Sequence, residues 1–498
     1  MDRQRPLWLF GDQLGRHFHS AGGAPDRPIL LIESELALRR RAYHRQKLHL
    51  VLAAMRGLAD DLGDRVTLVR AATYREGLRR FGRRVDVHEP GSHAALALVE
   101  RLRAEGMVGD VLPSPGFALG RSDFARWADA RSGFRMEDFY RDQRRRFQIL
   151  MEPDGEPTGG RWNFDKDNRQ GPPRGAVTLG VPPPWHPREN GVDDQVRHDL
   201  DLLCQESGSK VVGRDGPRLF AVGQAEAQRA LRRFLDERLP TFGTHQDAML
   251  GADWSMSHSL LSVPLNLGLL DPLAVVEAAE LRYRQGRAPL AATEGFVRQV
   301  LGWREWTWHL YWHLGPDYAR GNRLRARAAL PAWWRELDPG QIRAQCLRKA
   351  MGGVRDRGYA HHIERLMVLG SHALQRGFRP DELSEWFAAS FVDGFPWVMA
   401  TNVIGMSQYA DGGIVATKPY TSGGAYINRM SDHCGSCAFD PKVRLGPRAC
   451  PFTAGYWAWM KRNEAELADN HRMRQPLAGM RRLPDLDAVI EQERYRQG

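Results

Sequence analysis

Three of the chain's five cysteines, Cys434, Cys437 and Cys450, fall in the single stretch from Arg429 to Pro451. Two thiolates three residues apart can hold one metal centre, and the third can return from the next loop. A fourth ligand has to come from elsewhere, with Cys346, Cys204 and His433 as candidates. Zinc sites usually combine two close couples of ligands. Three ligands together, one remote and a proline after the third fit a [4Fe–4S] cluster better.

A second group could move protons or hold anions. His361 and His362 stand side by side, and a histidine lining a cleft titrates where general acid catalysis needs it. Adjacent residues on a helix point about 100° apart, so the pair is not expected to share one metal. His258-Ser259-Leu260-Leu261-Ser262 reads as the start of a helix, where small hydroxyls and free amide groups suit phosphate and serve equally as an ordinary cap. Arg365 and Asp393 form a candidate ion pair that only tertiary contact could close. Gly302-Trp303-Arg304-Glu305-Trp306 sets Trp, Arg and Glu on adjacent faces, a pattern also met as a core Trp beside a surface pair.

Three regions must position these groups. In residues 1–130 short apolar runs (7–10, 29–32, 66–69, 85–87) alternate with helical patterns over 39–62 and 92–104. This predicts a doubly wound parallel sheet, with ligands beyond the carboxyl ends of the strands at Asp12, Glu33 and the turn Glu89-Pro90-Gly91. No Gly-x-Gly-x-x-Gly follows a strand, so a dinucleotide fingerprint is absent. Residues 131–215, rich in Gly, Pro and Arg, read as an interdomain linker. Its Arg run is either a solvated helix face or a track for a phosphate backbone. Residues 216–498 carry helical patterns only, over 225–239, 272–285, 294–314, 360–374, 380–390 and 455–467, and predict an all-α domain with four of the five cysteines.

Whole-chain figures bound the partners. Lys+Arg minus Asp+Glu is 71 − 60, a formal charge of +11, and the pI is near 9.6. Such a balance suits an anionic partner such as nucleic acid, and also a generally Arg-rich proteome. No apolar run reaches a membrane span and the first residues lack a signal-peptide core. The expected compartment is the reducing cytoplasm, where clustered cysteines point to a metal.

The segments GGRWNFD, FGTHQDAM, HSLLS, EGFVRQVLGWREW, YAHHIERLM, NVIGMSQYADGG, TKPYTSGGAYINRMSDHC and ACPF cover most of the chain. On these segments it resembles the photolyase–cryptochrome superfamily, and within it the iron–sulfur bacterial branch that holds prokaryotic (6-4) photolyases. The resemblance implies an α/β antenna domain (1–130), a linker (131–215) and a helical FAD-binding domain (216–498) with a [4Fe–4S] cluster on Cys346, Cys434, Cys437 and Cys450. It implies light-driven repair of (6-4) photoproducts in single- or double-stranded UV-damaged DNA. It also implies a monomer acting at the nucleoid, with no membrane contact.

Position by position, His258, Ser259, Leu261 and Ser262 resemble the FAD phosphate segment. Arg365, Asp393, Met399 and Asn402 resemble residues around the flavin. His362 resembles the proton donor to the lesion, with His361 and Tyr420 beside it and Gln299, Trp303, Leu366 and Met406 lining the lesion pocket. Trp386 and Trp334 resemble an electron-transfer pair, and Asp165 and Asp247 a carboxylate pair able to hold Mg²⁺. Asp12, Glu33, Val51 and Gly91 surround an antenna site that in this branch holds 6,7-dimethyl-8-ribityllumazine, where Ala37 replaces a polar contact. Met399 replaces a polar group near the redox-active flavin nitrogen, and Phe387 a tyrosine. Both departures favour the alternative, a blue-light photoreceptor with little repair. A zinc-containing DNA-binding protein is a third reading.

Overall fold

The structure is a computed structural model and describes residues 5–20, 26–131, 133, 135–207 and 210–496. Five strands, β1 (Leu7–Leu9), β2 (Ile29–Ser34), β3 (Val66–Ala71), β4 (Val85–His88) and β5 (Val108–Leu112), form one parallel sheet in the order β3-β2-β1-β4-β5. The central strands are apolar without alternation and buried throughout, as strands covered on both faces must be. Successive residues serve opposite faces. Trp8, Leu30 and Ile32 pack into a core of the sheet's own, whereas Leu7, Leu9, Ile29 and Leu31 join a core shared with Leu265, Phe296 and Trp306 of the helical region. One face of the sheet therefore shares a core with the helix Arg45–Leu62 and, beyond it, with residues of the helical region.

The helical pattern predicted over 39–62 is broken. A short helix, Glu35–Arg39, gives way to Arg45–Leu62, whose N-terminus is capped by the His44 ring accepting from the Gln46 amide. The stretch 131–215 also differs from a plain linker. It contains the helices Met136–Phe147 and Gly191–Ser207. Tyr140 on the first donates to Glu294 at 3.1 Å, and Asp193 on the second takes the His49 ring at 2.9 Å. These apolar-faced helices bury against neighbours on either side, so Gly and Pro mark only the segment between them.

The remainder is helical. Pro380–Ser390 has the bounds predicted, because Pro380 sits at the first turn, where its missing amide is harmless. Other bounds shift: 294–314 becomes Leu290–Val297, a π-helical stretch Arg298–Arg304 and Glu305–Leu314. Two further π-helical stretches, Glu364–Gly370 and Ala400–Ser407, interrupt helices in the same way. Among the described residues no helix is long and apolar enough to cross a membrane.

Candidate active site

The three π-helical stretches share one location. Each puts residues into one open cleft: Gln299, Trp303 and Arg304 from the first, Arg365 from the second, Asn402 from the third. An extra residue in a helical turn re-aims side chains, and such turns gather at functional sites. His258, Ser259, Ser262, His361, His362 and Asp393 complete the predicted lining.

Arg365 and Asp393 meet as predicted. The guanidinium donates from Nη1 to Oδ1 at 2.9 Å and from Nη2 to Oδ2 at 3.1 Å. This is the paired geometry that makes Arg–carboxylate bonds strong. Ser262 Oγ adds a bond to Oδ2 at 2.7 Å, and Asn266 Nδ2 holds the Asp393 carbonyl at 3.0 Å. Phe391 and Tyr359 back the guanidinium, with ring centres 4.2 and 4.9 Å away. The segment from His258 departs from expectation. The helix it opens, Ser262–Asn266, is a single turn with little dipole to offer an anion, and Leu261 is buried in the core. Leu260, bent to a φ of 57°, faces the cleft in its place.

The histidines also correct the expectation. His361 stacks on His258 with ring centres 4.7 Å apart, and His362 meets His258 edge-on at 5.4 Å. Ligand atoms of the three lie within 4.8 Å of one another. The pair sits where the helix begins, so the 100° rule of a regular helix does not separate them. Burial, and then the neighbouring imidazoles, push His258 and His361 far below the usual histidine range, so both are neutral. His362 differs: its side chain is 52% exposed, and its Nε2 lies 3.3 Å from Asp247 Oδ1. That carboxylate is a ready counter-charge for an imidazolium at the mouth of the cleft.

Asp165 and Asp247 are each engaged by other side chains. Burial disfavours the Asp165 charge, but Arg298 and Arg169 outweigh it and hold the carboxyl below its ordinary range. Asp247 faces His362 through Oδ1. Tyr420, Leu366 and Met406 are half-buried and outside the cleft's lining. Tyr420 stands within electrostatic reach of Asp165 and Arg169, with burial raising its phenol. Met399 packs in the core and does not line the cleft.

The two tryptophans predicted for electron transfer touch. Trp386 and Trp334 have ring centres 5.3 Å apart, and Trp386 Nε1 donates to the Trp334 carbonyl at 3.1 Å. Phe391, under the Arg365 guanidinium, lies 5.7 Å from Trp386 and stacks on Phe387 at 5.0 Å.

Cys346, Cys434, Cys437 and Cys450 line one small cavity with Ile427, Phe439 and Phe452. All are free thiols. Cys346 starts the helix Gln345–Arg357, and Cys450 caps Pro451–Arg462. Cys204, on Gly191–Ser207, is no part of the cavity, and His433 contributes to its wall. Four thiols converging in an apolar pocket fit a cluster that needs four thiolates.

At the sheet, the strand order reverses between β1 and β4, and Asp12 and Gly91 meet there. Any side chain at Gly91 would collide with the Asp12 carboxylate, and one at Gly11 with Val51. A narrow pocket opens at this point between Asp12, Glu89, Ser114 and Trp397. Glu33 is not part of it. Buried at the end of β2, its charge needs cations, and Arg56 (2.8 and 3.0 Å) and Arg70 (3.3 Å) supply them. Burial pushes the Asp12 carboxyl up to about 6, against the pull of its backbone hydrogen bond and of Lys47. The folded chain thus holds a proton that the unfolded chain releases near pH 4. Asp12 therefore costs stability progressively as pH rises from about 4 to about 6, and by a constant amount above. Asp12→Asn is expected to remove this slope: thermal melting across that window should show the variant gaining on the wild type up to pH 6 and holding its lead beyond.

Sequence reasoning missed Trp397 and Asn266 and read Arg304 only as part of a Trp-Arg-Glu pattern; all three line both this cavity and the cleft. The available signal was Pro396 directly after Phe395, which starts a helix one residue before Trp397.

A family model described as "Deoxyribodipyrimidine photo-lyase-related protein" matches residues 7–208. The chain is 38% identical over 495 residues to the (6-4) photolyase of Agrobacterium fabrum, covering 96% of this chain and 95% of that one. Its fold matches a crystal structure of a bacterial class III photolyase from Agrobacterium tumefaciens (TM-score 0.57, 17% identity, 99% and 98% coverage). It also matches a Synechocystis cryptochrome (TM-score 0.55, 13% identity, 97% and 99% coverage). The chain belongs to the photolyase–cryptochrome superfamily, on the branch of the bacterial (6-4) photolyases.

Proposed function

We propose that this chain repairs (6-4) pyrimidine photoproducts in DNA under light, with FAD in the cleft and His362 as proton donor. The observation that carries the reading is the contrast among the three imidazoles. His258 and His361 are buried and neutral, while His362 alone combines solvent access with a carboxylate at 3.3 Å. The cleft suits a flavin: it presents the Arg365–Asp393 pair, and the buried His258 Nε2 has no partner among the described residues. A bound, reduced flavin would supply light-driven electron transfer at this cleft. The chain's own residues hold the lesion, flipped out of the duplex, between Gln299, Trp303 and His362. His362 then delivers a proton to the lesion and recovers it, with Asp247 balancing its charge.

Cys346, Cys434, Cys437 and Cys450 would hold a [4Fe–4S] cluster, and the cavity at Asp12 and Gly91 a ribityllumazine antenna. Trp386 and Trp334 would carry electrons to the cleft from outside. We place no Mg²⁺ at Asp165 and Asp247.

Two measurements on anaerobically purified protein test this reading. Extraction should give one FAD and about four iron atoms per chain, and in the dark an oligonucleotide with a (6-4) lesion should bind more tightly than its undamaged twin. A flavin-free protein, or equal affinity for both DNAs, contradicts it.

A further inference from the structure

One buried lysine ties the parallel-sheet domain to the turn that carries the cleft's carboxylate. Lys47, near the start of the helix Arg45–Leu62, is 6% exposed. Its ammonium donates to the carbonyls of Ala388 (2.8 Å), Phe391 (3.2 Å) and Gly394. These oxygens come from the end of the helix Pro380–Ser390 and the turn after it, where carbonyls lack intrahelical partners. An ammonium has three donors and no acceptor, so the cage uses it completely. The Phe395 ring closes another side, 4.9 Å away.

The caged turn is the one that carries Asp393. It folds so tightly that a side chain at Gly394 would collide with the carbonyls of Phe387, Phe391 and Ala388. His44 N donates to Ala389 O at 3.0 Å, and Gln46 Nε2 to Asp356 O at 2.7 Å, so neighbours of Lys47 stitch the same two regions together. Burial pulls the Lys47 ammonium down to about 7 against the attraction of Asp393, so its charge is expensive to keep here. A buried apolar side chain would join the domains at lower cost, so what Lys47 adds is the fixed shape of this turn.

We propose that Lys47 is a positioning residue for Asp393: it clamps the 388–394 turn so that the carboxylate faces Arg365 and the flavin. The proposal rests on the reading of Asp393 as the carboxylate of the flavin site.

Lys47→Met keeps the stem and removes the donors. In the holoprotein, flavin release followed by fluorescence is expected to accelerate about tenfold, equivalent to about 1.4 kcal/mol, with iron content unchanged. Asp393→Asn should accelerate release as well. Because Lys47 acts through Asp393, adding Lys47→Met to that variant should change the rate by less than about twofold. Multiplying effects, or an unchanged release rate with only a lower melting temperature, would overturn the proposal.

A second measurement needs neither flavin nor a folded Lys47 variant. The ¹⁵N spectrum of the wild-type chain should show a Lys47 ammonium protected from exchange, and its signal should move in Asp393→Asn. A rapidly exchanging Lys47 amine overturns the proposal. A wild-type chain that retains no flavin yet shows the protected ammonium contradicts the cofactor reading and leaves the clamp standing.

Discussion

His362→Ala is expected to lower the repair yield per absorbed photon by about 10²- to 10⁴-fold, the range a positioned general acid supplies, while FAD stays bound. The flavin should survive because its charged anchor, Arg365 with Asp393 and Ser262, does not use this ring. The loss should be deep because no neighbour can substitute. His361 and His258 are held neutral by burial, and to donate they would have to charge inside an apolar wall. Asp247→Asn removes the counter-charge at 3.3 Å while keeping the ring, so it should reduce the yield by a smaller factor. Chromatography of restored thymines after a counted number of photons, with the flavin spectrum as occupancy control, measures both. Near wild-type yield in His362→Ala would assign the proton to another group.

Cys346→Ala is expected to lose the iron and lower the melting temperature by roughly 10 °C or more. Structural metal sites couple binding to folding, with apparent binding free energies of about 10–16 kcal/mol, and a chain of this size shifts by about 1 °C per kcal/mol. The four thiols come from three separated pieces of chain: the helix Gln345–Arg357, the turn at Cys434 and Cys437, and the start of Pro451–Arg462. A cluster there would pin these pieces to one another. The same core holds Trp334 and Trp386, so its loosening should also disturb the tryptophan contact. Cys204→Ala serves as the control and should retain iron and melt as the wild type does, since Cys204 lies outside the cavity. Iron analysis and calorimetry decide the matter, and full iron retention in Cys346→Ala would exclude it as a ligand.

Parts of this arrangement are legible in the sequence for physical reasons. The continuous apolar runs of β1 and β2 can only be strands covered on both faces, and the cysteine spacing survives into the cavity because neighbouring ligands need little tertiary help. Arg365 and Asp393 could be named as a candidate ion pair, but nothing local ties residues 28 positions apart, and only the fold closes the contact. The π-helical stretches were not legible. One extra residue per turn leaves the amphipathic pattern of 294–314 and 360–374 nearly intact, yet it aims Gln299, Trp303, Arg365 and Asn402. Glu33 shows the opposite failure. Its position at a strand's carboxyl end suggested a ligand, but Arg56 and Arg70, distant in sequence, claim its charge. The convergence of His258 on His361 and His362 likewise depends on two loops that no spacing connects.

The central claim is light-driven repair of one lesion chemistry. The direct measurement is illumination of the reduced wild-type protein with an oligonucleotide carrying a single (6-4) photoproduct, beside a dark sample and an oligonucleotide carrying a cyclobutane dimer. Restored thymines from the (6-4) lesion in the light alone, with the cyclobutane dimer left in place, are the predicted result. Intact (6-4) lesions in a sample whose flavin is bound, reduced and excited would contradict it.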